Sequence, residues 1–259
     1  MIGAIGTKVE AGERLDAAEA AALFRHPNVA ELGLLANAVR RRKHPQSVVT
    51  YNVGRNINYT NVCWVKCDFC AFYRPPGSGE GYVLPREEIF AKIDALVEVG
   101  GDAPKSCELL MQGGLNPKLR LDYYEELLAA IRERYPMVHV HSLSATEIIY
   151  IAHLSRLPLE ETVQRLRDAG LDSIPGAGAE ILSDEVRDII GFRKDRTEEW
   201  LEVHRIAHRL GMQTTATMMY GHVETVEQRV EHLQRIRDLQ DEAGRFTALI
   251  ARNFQPDHT

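Results

Sequence analysis

The chain has 259 residues, of which 44% are hydrophobic and 26% charged, and its formal net charge is −6. This composition is ordinary for a globular protein and allows one large α/β domain or two small ones. Acidic and basic residues are interspersed, which excludes a broad nucleic-acid-binding surface. No apolar run approaches the roughly 20 residues of a membrane span, and no segment is typical of a signal peptide. We therefore expect a cytoplasmic protein that binds neither nucleic acid nor membrane.

Residues 1–50 predict a helical N-terminal segment, with helix-favouring runs at 17–24 and 29–42. Residues 51–259 predict a single domain in which short apolar strands alternate with amphipathic helices. The predicted strands are 56–62, 107–111, 137–143, 171–174, 212–219 and 246–254.

The helices between these strands are predicted from their apolar spacing. Ile89, Ile93 and Leu96 recur at helical intervals after Pro85, and further helical patterns cover 124–131, 159–166, 200–210 and 226–239. Strand–helix units without hairpin turns imply a parallel sheet, because parallel strands need helical crossovers. We expect a (β/α) barrel or partial barrel, since glycine-rich and polar segments follow the strand ends, where barrel sites are built.

The last predicted strand, 246–254, is apolar on both faces. That pattern is typical of a strand covered on both sides. The chain continues for only a few residues after it. We therefore expect that the elements that close the barrel at its C-terminal side lie outside these 259 residues.

Cys63, Cys67 and Cys70 form a C-x3-C-x2-C run. Three thiolates on one loop can bind three irons of a four-iron four-sulfur (4Fe-4S) cluster and leave the fourth iron open to a small molecule. The spacing differs from the paired C-x2-C motifs of a zinc ribbon. A zinc site completed by Cys107 or a histidine, and a group of buried thiols without metal, are the alternatives that the loop leaves open.

Polar residues and glycines follow several predicted strands. Gly113 and Gly114, after the second strand, would let the backbone approach a ligand closely. Ser144 and Glu147, after the third strand, fit either a ligand site or a helix capping box. Glu180 ends a glycine-rich turn after the fourth strand, where its carboxylate would accept hydrogen bonds from hydroxyl groups.

The fifth strand adds a second group of candidates. Thr215, Thr217 and Met219 alternate and should share one face of this strand. His222 and Glu224 follow at its C-terminal end, where a capping box formed by residues 225–228 is an alternative role for this turn.

Two histidines alternate on the third strand. His139 and His141 share one face, because side chains two residues apart on a strand point the same way. An inward face would bring His141 near the site, and an outward face would place both against a helix. We favour the inward orientation.

Several segments together resemble one family, the radical S-adenosylmethionine (SAM) dehypoxanthine futalosine cyclases of the futalosine route to menaquinone. The similarity runs from about Gly12 to Thr259, although residues 100–108 and the turn after the third strand depart from the family pattern. The segments are Arg55–Cys63, Cys70–Arg74, Glu80–Tyr82, Gln112–Leu115, Asp172–Gly176, Gly178–Leu182, Ala216–Met219, Gly221–Thr225 and Phe254–Pro256. Aminofutalosine synthase and the radical SAM subunits of deazaflavin (FO) synthase share the cysteine loop and are the alternative enzymes.

The resemblance implies a radical SAM (β/α) barrel whose three clustered cysteines hold a 4Fe-4S cluster with SAM at its open iron. It implies that a 5′-deoxyadenosyl radical abstracts the ribose C4′ hydrogen of dehypoxanthine futalosine. The carbon radical would then close onto the benzoate ring, and loss of an electron and a proton would restore aromaticity. A reduced flavodoxin- or ferredoxin-type protein would supply the electron that cleaves SAM.

The resemblance also implies roles for individual residues. The expected SAM contacts are Phe69, Gln112, Gly113, Gly114, Ser144, Glu147 and Glu180. The expected substrate contacts are His141, Thr215, Thr217 and Met219, and the expected proton acceptor is His222 or Glu224. The alternative of a different class is a non-catalytic iron–sulfur or zinc protein, against which the glycine-rich turns argue, since an electron carrier needs no cavity for a ligand.

Overall fold

The computed structural model describes residues 2–101, 103, 105–257 and 259. In this part of the chain ten helices and six strands follow one another, and from β1 onward strands and helices alternate as expected. The helices are α1 Ile2–Ala11, α2 Ala17–Phe24, α3 Val29–Lys43, α4 Arg86–Gly100, α5 Leu121–Arg134, α6 Ala145–Ser155, α7 Leu159–Ala169, α8 Asp184–Gly191, α9 Thr197–Arg209 and α10 Val226–Ala243. The strands are β1 Val53–Asn58, β2 Cys107–Gln112, β3 His139–Ser142, β4 Ser173–Ile174, β5 Gln213–Tyr220 and β6 Phe246–Asn253.

The six strands form one parallel sheet in the order β1-β2-β3-β4-β5-β6. The sheet curls into a half-barrel with helices on its outer face. Because all six strands are parallel, their C-terminal ends lie at the same rim of the half-barrel. The expectation of a parallel partial barrel with six strands is confirmed.

Alternation along the strands separates the core from the inner face of the half-barrel. Alternate residues of β2 are fully buried in the main hydrophobic core, and the residues between them line a cavity on the concave side. The buried residues are Cys107, Leu109 and Met111, and the cavity-facing residues are Glu108, Leu110 and Gln112. On β5 the same alternation buries Ala216 and Met218 and leaves Thr215, Thr217 and Met219 facing the cavity, which agrees with the face expected for them.

The helices on the outer face supply the other side of the core. Ile89 and Ile93 of α4, Leu128 of α5 and Trp200 of α9 are completely buried. Burying an aliphatic or aromatic side chain of this size stabilises the fold by about 1.5–3 kcal/mol. This packing holds each strand end, and therefore each turn at the rim, in a fixed position.

The helices before β1 contact the half-barrel through α10. Helix α2 packs against α10, and an ion pair joins Arg25 to Glu227 at the start of α10. Asp16 and Glu19 form a capping box at the start of α2. No helix among the described residues combines the length and the apolar character that crossing a membrane requires.

Strand β1 lies earlier in the chain than expected. It covers residues 53–58 and not 56–62. The residues after it leave the sheet, because Thr60 forms an isolated bridge with Val83 and Val62 forms one with Arg74. These bridges belong to the loop that carries the three clustered cysteines. Helix α1 lies within the predicted helical N-terminal segment but was not predicted as a separate helix, α6 was indicated only by its possible capping box, and α8 was not predicted.

Among the described residues the last strand is not covered on both sides, and the expectation that elements outside these 259 residues cover it stays a prediction. Strand β6 lies at the edge of the sheet and pairs with β5 alone. Leu249 is 46% exposed and Ile250 is 37% exposed. The apolar character of this strand therefore does not report burial within the described part of the chain.

Candidate active site

The cysteine loop is anchored at both ends by backbone hydrogen bonds. The N–H of Cys63 donates to Arg74 O over 2.9 Å, and the N–H of Arg74 donates to Asn61 O over 2.8 Å. In the middle of the loop, Asp68 N donates to Ile190 O at the end of α8 over 2.9 Å. The loop therefore closes on itself and on α8, with its three thiols held on one side.

The three thiols line one small cavity. Cys63, Cys67 and Cys70 are each partly exposed and surround a space of about 140 Å³. Gly113, Gly114, Ser144, Thr146, Glu147, Gly178 and Lys194 are among its other lining residues. Burial raises the pKa of the Cys67 thiol to about 12, whereas the nearby Lys194 acts to lower it. No group of three or more His, Cys, Asp or Glu side chains within the described ranges lies close enough together to hold a single metal ion.

Glycine is required at the turn after β2. A Cβ atom on Gly114 would lie 2.4 Å from Val62 O and 2.9 Å from Cys63 Cβ. Contacts this short do not occur between real atoms, so a side chain here would displace the cysteine loop. The glycines after β2 thus let two backbone segments meet directly beside the thiols.

Glu147 ties this turn to the start of α6. Its Oε1 accepts hydrogen bonds from Gly113 N over 3.0 Å and from Tyr59 Oη over 2.8 Å. Its Oε2 accepts from Ser144 N over 2.8 Å, so that Ser144 and Glu147 form the capping box of α6. Burial raises the pKa of Glu147, although the hydrogen bonds from Ser144, Tyr59 and Gly113 oppose this effect. The sequence allowed either a helix cap or a ligand site for Ser144 and Glu147. The structure shows the helix cap, which lies beside the small cavity.

A buried ion pair separates the small cavity from a larger one. Lys194 Nζ lies 3.0 Å from Glu180 Oε1. Burial acts to raise the pKa of Glu180, but Lys194 and Arg187 together outweigh it and the pKa lies below its ordinary value. Burial likewise acts to lower the pKa of Lys194, but Glu180 and Asp195 together outweigh it and hold that pKa above its ordinary value. Both groups are therefore charged at neutral pH.

Arg187 of α8 holds both partners of this ion pair in place. Its guanidinium donates to Ala179 O over 2.8 Å, next to Glu180, and to Asp195 Oδ2 over 2.7 Å, next to Lys194. Arg187 and Asp195 are themselves buried. Glu180 has a φ of 44°, a left-handed conformation that is uncommon for a residue with a side chain. The sequence analysis missed Lys194, because only the folded chain brings it to Glu180.

The larger cavity occupies the concave side of the half-barrel and has a volume of about 790 Å³. It contains the expected candidates Phe69, Gln112, His141, Glu180, Thr215, Thr217 and Met219 in its lining. Cavities of about 300–1,000 Å³ are typical of small-molecule sites. His141 faces this cavity, as favoured from the sequence.

Thr215 and Thr217 also hold the turn after β4. Gly176 N donates to Thr215 Oγ1 over 3.0 Å, and Thr217 Oγ1 donates to Gly176 O over 2.6 Å. A Cβ atom on Gly176 would lie 2.4 Å from Ala216 Cα, so the turn and β5 are in direct contact. The two threonines therefore position the turn that leads to Glu180 and also line the cavity.

His222 and Glu224 are not brought to either cavity. The carboxylate of Glu224 accepts hydrogen bonds from Gly221 N over 2.6 Å and from His222 N over 3.0 Å, and it pairs with Arg229. His222 Nε2 lies 3.0 Å from Met219 O, and the ring packs edge-on against Phe254. Both side chains thus stabilise the turn between β5 and α10.

The residues of the small cavity fit a 4Fe-4S cluster. Thiols are the ligands that such clusters use, and a set of three leaves one iron without a protein ligand. Cys107 does not belong to the set, because it is fully buried in the core. It packs so closely against α4 that a Cβ atom on Gly100 would lie 2.7 Å from the Cβ of Cys107. Cys107 is a buried residue of the strand predicted at 107–111, and a zinc site completed by Cys107 is not supported.

The cysteine loop, the glycine turn and the parallel half-barrel define a class of protein. The profile of the radical SAM superfamily matches residues 57–236. The match extends over more than half of the chain and includes all three clustered cysteines. The chain belongs to the radical SAM superfamily.

Individual relatives are similar to the chain over nearly its whole length. It is 46% identical to the cyclic dehypoxanthine futalosine synthase of Halalkalibacterium halodurans over 248 residues, which are 96% of the chain and 66% of that protein. It is 40% identical to the aminodeoxyfutalosine synthase of Thermus thermophilus over 254 residues, 98% of the chain and 66% of that protein. The chain thus spans just under two thirds of the length of these curated relatives.

A solved structure shows the same fold. Methylornithine synthase superposes on the chain with a TM-score of 0.75 at 16% sequence identity, covering 97% of the chain and 68% of that structure. At this identity the likeness concerns the fold and not the reaction.

Proposed function

We propose that the protein is a cyclic dehypoxanthine futalosine synthase that acts in menaquinone biosynthesis. One observation carries the proposal: a cavity lined by three thiols adjoins a ligand-sized cavity, in a chain 46% identical to a relative of that name. The relative's name supplies the substrate, and the two cavities supply places for the cofactors and for that substrate. The runner-up is aminodeoxyfutalosine synthase, whose representative is 40% identical.

Cys63, Cys67 and Cys70 would hold the 4Fe-4S cluster, and SAM would bind at its open iron. When bound, the cluster and SAM together supply the radical that removes a hydrogen atom from the substrate. The chain's own contribution is to orient these groups and to exclude water. The dense contacts of Gly114 and the anchored ends of the cysteine loop support such a rigid arrangement.

SAM would lie between the two cavities. The backbone at Gly113 and Gly114 would receive its methionyl amino group, and Gln112 faces the larger cavity beside them. Glu180 would accept hydrogen bonds from the ribose hydroxyls, held in position by Lys194. Phe69 lines the larger cavity and would pack near the adenine. Ser144 and Glu147 would act indirectly, because Glu147 orients the Gly113 amide.

The substrate would occupy the larger cavity. Thr215, Thr217 and Met219 line one wall of this cavity and His141 lies beside them. The substrate must place its ribose C4′ towards the thiols and its benzoate ring within reach for ring closure. A role for His222 or Glu224 in accepting the final proton stays a prediction, and their hydrogen bonds within their own turn give it no support.

The direct test is an anaerobic incubation of the reconstituted protein with SAM, dithionite and dehypoxanthine futalosine. Cyclisation transfers one hydrogen atom to 5′-deoxyadenosine and releases one proton and one electron, so the product should be lighter than the substrate by two hydrogen atoms. Mass spectrometry should detect this product together with 5′-deoxyadenosine, and Cys63→Ala should form neither. SAM cleavage without a change in the substrate would contradict the proposed substrate. Zinc bound in place of iron would contradict the radical reaction itself.

The electron donor would be a reduced flavodoxin or ferredoxin that docks beside the cysteine loop. Lys66 within the loop is exposed, and Arg193 packs its guanidinium 5.7 Å from the ring centre of Trp64 in the same loop. An acidic donor would be attracted to these cations. Arg193→Glu should slow turnover with flavodoxin but not with dithionite. Arg209→Glu, the same charge change at the end of α9, should affect neither, and an equal loss with both reductants would contradict this docking site.

A further inference from the structure

A continuous series of hydrogen-bonded side chains runs along the inner face of the sheet. Thr215 Oγ1 lies 3.4 Å from His141 Nε2 at the cavity. His141 Nδ1 lies 2.6 Å from Ser173 Oγ, and the same oxygen lies 2.8 Å from His139 Nε2. Three neighbouring strands, β3, β4 and β5, thus bring two histidines and one serine into a single connected path.

The far end of the path is acidic and closer to solvent. His139 Nδ1 lies 3.8 Å from Asp172 Oδ2 and has no hydrogen-bond partner among the described residues. The side chains of His139 and Asp172 are 21% and 24% exposed, whereas His141 is 8% exposed and Ser173 is 4% exposed. The path therefore leads from the ligand cavity, through buried groups, to Asp172 at the edge of the half-barrel, whose Oδ2 also accepts hydrogen bonds from the Arg132 guanidinium and from Val140 N.

The contacts allow one assignment of hydrogens in which every hydrogen bond of the path has the same direction. Gly176 N donates to Thr215 Oγ1, and in this assignment the Thr215 hydroxyl donates to His141 Nε2. The His141 proton then lies on Nδ1 and donates to Ser173, and the Ser173 hydroxyl donates to His139 Nε2. The His139 proton lies on Nδ1, 3.8 Å from Asp172 Oδ2. Three groups therefore donate away from the cavity, and a gap of 3.8 Å separates the last ring from the carboxylate.

We propose that His141, Ser173 and His139 form a proton relay that removes a proton from the bound substrate and delivers it to the edge of the half-barrel at Asp172. The inference rests on the proposed function, since cyclisation onto an aromatic ring must release one proton. His141 Nε2 is the accepting atom, because it is unprotonated and faces the cavity, and its long 3.4 Å contact with the Thr215 hydroxyl gives way to the substrate. Histidine suits this task, because its two ring nitrogens can accept a proton on one side and release one on the other.

The proposed step removes one proton and one electron from the cyclised ring. The C–H bond at the ring carbon that has formed the new bond breaks, its electron pair remains in the ring, and its proton passes to His141 Nε2. The surplus unpaired electron leaves to a one-electron acceptor of the iron–sulfur class. The Nδ1 proton of His141 moves to Ser173, the Ser173 proton moves to His139 Nε2, and the Nδ1 proton of His139 leaves towards Asp172 and solvent.

Burial keeps both rings neutral, as a relay requires. Burial, with a smaller contribution from the adjacent His139, lowers the pKa of His141 to about 4. Burial also lowers the pKa of His139, against the carboxylates of Asp172 and Glu108, which act to raise it. Neutral rings accept a proton from one neighbour and pass it on without retaining it.

The first test needs no substrate. Nitrogen-15 NMR of the histidine rings, assigned with His139→Asn and His141→Asn, should show the Nδ1–H tautomer for both residues. Ser173→Ala removes the acceptor of His141 Nδ1–H and should shift His141 towards the Nε2–H tautomer. Ser183→Ala, at another buried serine, should change neither ring. An Nε2–H tautomer for His141 in the unaltered protein, or no response to Ser173→Ala, would overturn the relay.

The second test uses dehypoxanthine futalosine with deuterium on its benzoate ring. In Ser173→Ala, proton removal should become rate-limiting. Product formation should then fall by about 10²-fold, the scale of lost acid–base catalysis, and the deuterated substrate should react more slowly than the unlabelled one. In a single turnover, formation of 5′-deoxyadenosine and the affinity for SAM should stay unchanged, which separates the relay from a structural defect. Equal product formation in Ser173→Ala and Ser183→Ala would overturn the relay.

Failure of the proposed function and failure of the proposed relay give different results in these experiments. If the unaltered protein leaves dehypoxanthine futalosine unchanged, the proposed substrate is wrong, while the ring tautomers still decide whether the path is directed away from the cavity. If the product forms but the tautomers do not respond to Ser173→Ala, the function stands and the relay does not.

Discussion

Lys194 Nζ lies 3.0 Å from Glu180 Oε1, and the two side chains are only 4% and 13% exposed. This ion pair stands where the thiol cavity meets the ligand cavity, with Lys194 lining the former and Glu180 the latter. Each charge is costly to bury alone, and each is stabilised by the other. The pair therefore couples the position of an expected SAM contact to the loop that follows α8.

The first prediction concerns the removal of one partner of this pair. Glu180→Gln leaves the Lys194 ammonium buried without an opposite charge, which should lower the free energy of unfolding by about 3 kcal/mol and weaken SAM binding. Urea denaturation and SAM titration would measure the two effects. Lys194→Met added to Glu180→Gln should recover part of the stability but not the SAM affinity.

The matched control is Glu88→Gln, in the exposed ion pair of Glu88 with Lys92. It should lower the free energy of unfolding by less than about 1 kcal/mol. A double variant no more stable than Glu180→Gln would contradict this account.

The second prediction concerns the glycine turn after β2. Gly114→Ala would place a Cβ atom 2.4 Å from Val62 O, so the cysteine loop must shift and iron incorporation should fall sharply. Gly33→Ala is a matched control in α3, where no atom lies within 4 Å of the new Cβ. It should leave iron binding unchanged and raise the free energy of unfolding by up to about 1 kcal/mol, because alanine is the better helix former. The iron content of both variants is measured after anaerobic reconstitution. Full iron content in Gly114→Ala would contradict the prediction, because it would show that the turn can relax.

The third prediction concerns the cysteines. Replacing Cys63, Cys67 or Cys70 by alanine should each abolish the absorption and iron content of a 4Fe-4S cluster, since each thiol supplies one iron ligand. Cys107→Ala should retain the iron, because Cys107 is buried in the core. Loss of the iron in Cys107→Ala while the protein stays folded by circular dichroism would show that the ligand set is not the three loop cysteines.

The fourth prediction concerns pH. His232 is fully buried, its Nδ1 accepts from Leu182 N over 3.0 Å, and burial lowers its pKa to about 4. In the unfolded chain the pKa is about 6.5, so below that pH the unfolded state binds more protons and stability falls, until the loss is complete near pH 4. The asparagine of the His232→Asn variant cannot titrate, and its Oδ1 can keep the acceptor role. Between pH 6.5 and 5, the stability difference between the original protein and His232→Asn should shrink by about 2 kcal/mol. Parallel stability curves would contradict the assignment to His232.

The order of the strands and helices could be predicted because it depends on local periodicity. Ile89, Ile93 and Leu96 mark α4 by spacing alone, and all three are buried. The end of β1 could not be predicted in this way, because residues 59–62 continue the chain beyond the strand without a turn signal but pair with residues 74 and 83 of a loop outside the sheet. A pattern within one segment does not reveal which other segment it pairs with.

The parts of the site that lie within short sequence motifs could be predicted from the sequence. The three thiols and the glycines at 113 and 114 share one cavity, as their motifs indicate. Lys194 gave no such signal, because it lies 14 residues after Glu180 and is brought back by α8 and by the Arg187–Asp195 ion pair. The position of His222 and Glu224 at a strand end suggested a place in the site. Residues at a strand end can equally stabilise their own turn, and these two do so.

The shared carboxylate of Glu147 has a consequence for local unfolding. Gly113 N and Ser144 N donate to different oxygens of this one carboxylate, so neither amide can open to water without disturbing the other's acceptor. Amides released by the same opening event report the same opening free energy. The turn after β2 and the first turn of α6 should therefore behave as one cooperative unit in hydrogen–deuterium exchange, and any ligand that protects the Gly113 amide should also slow exchange at Ser144.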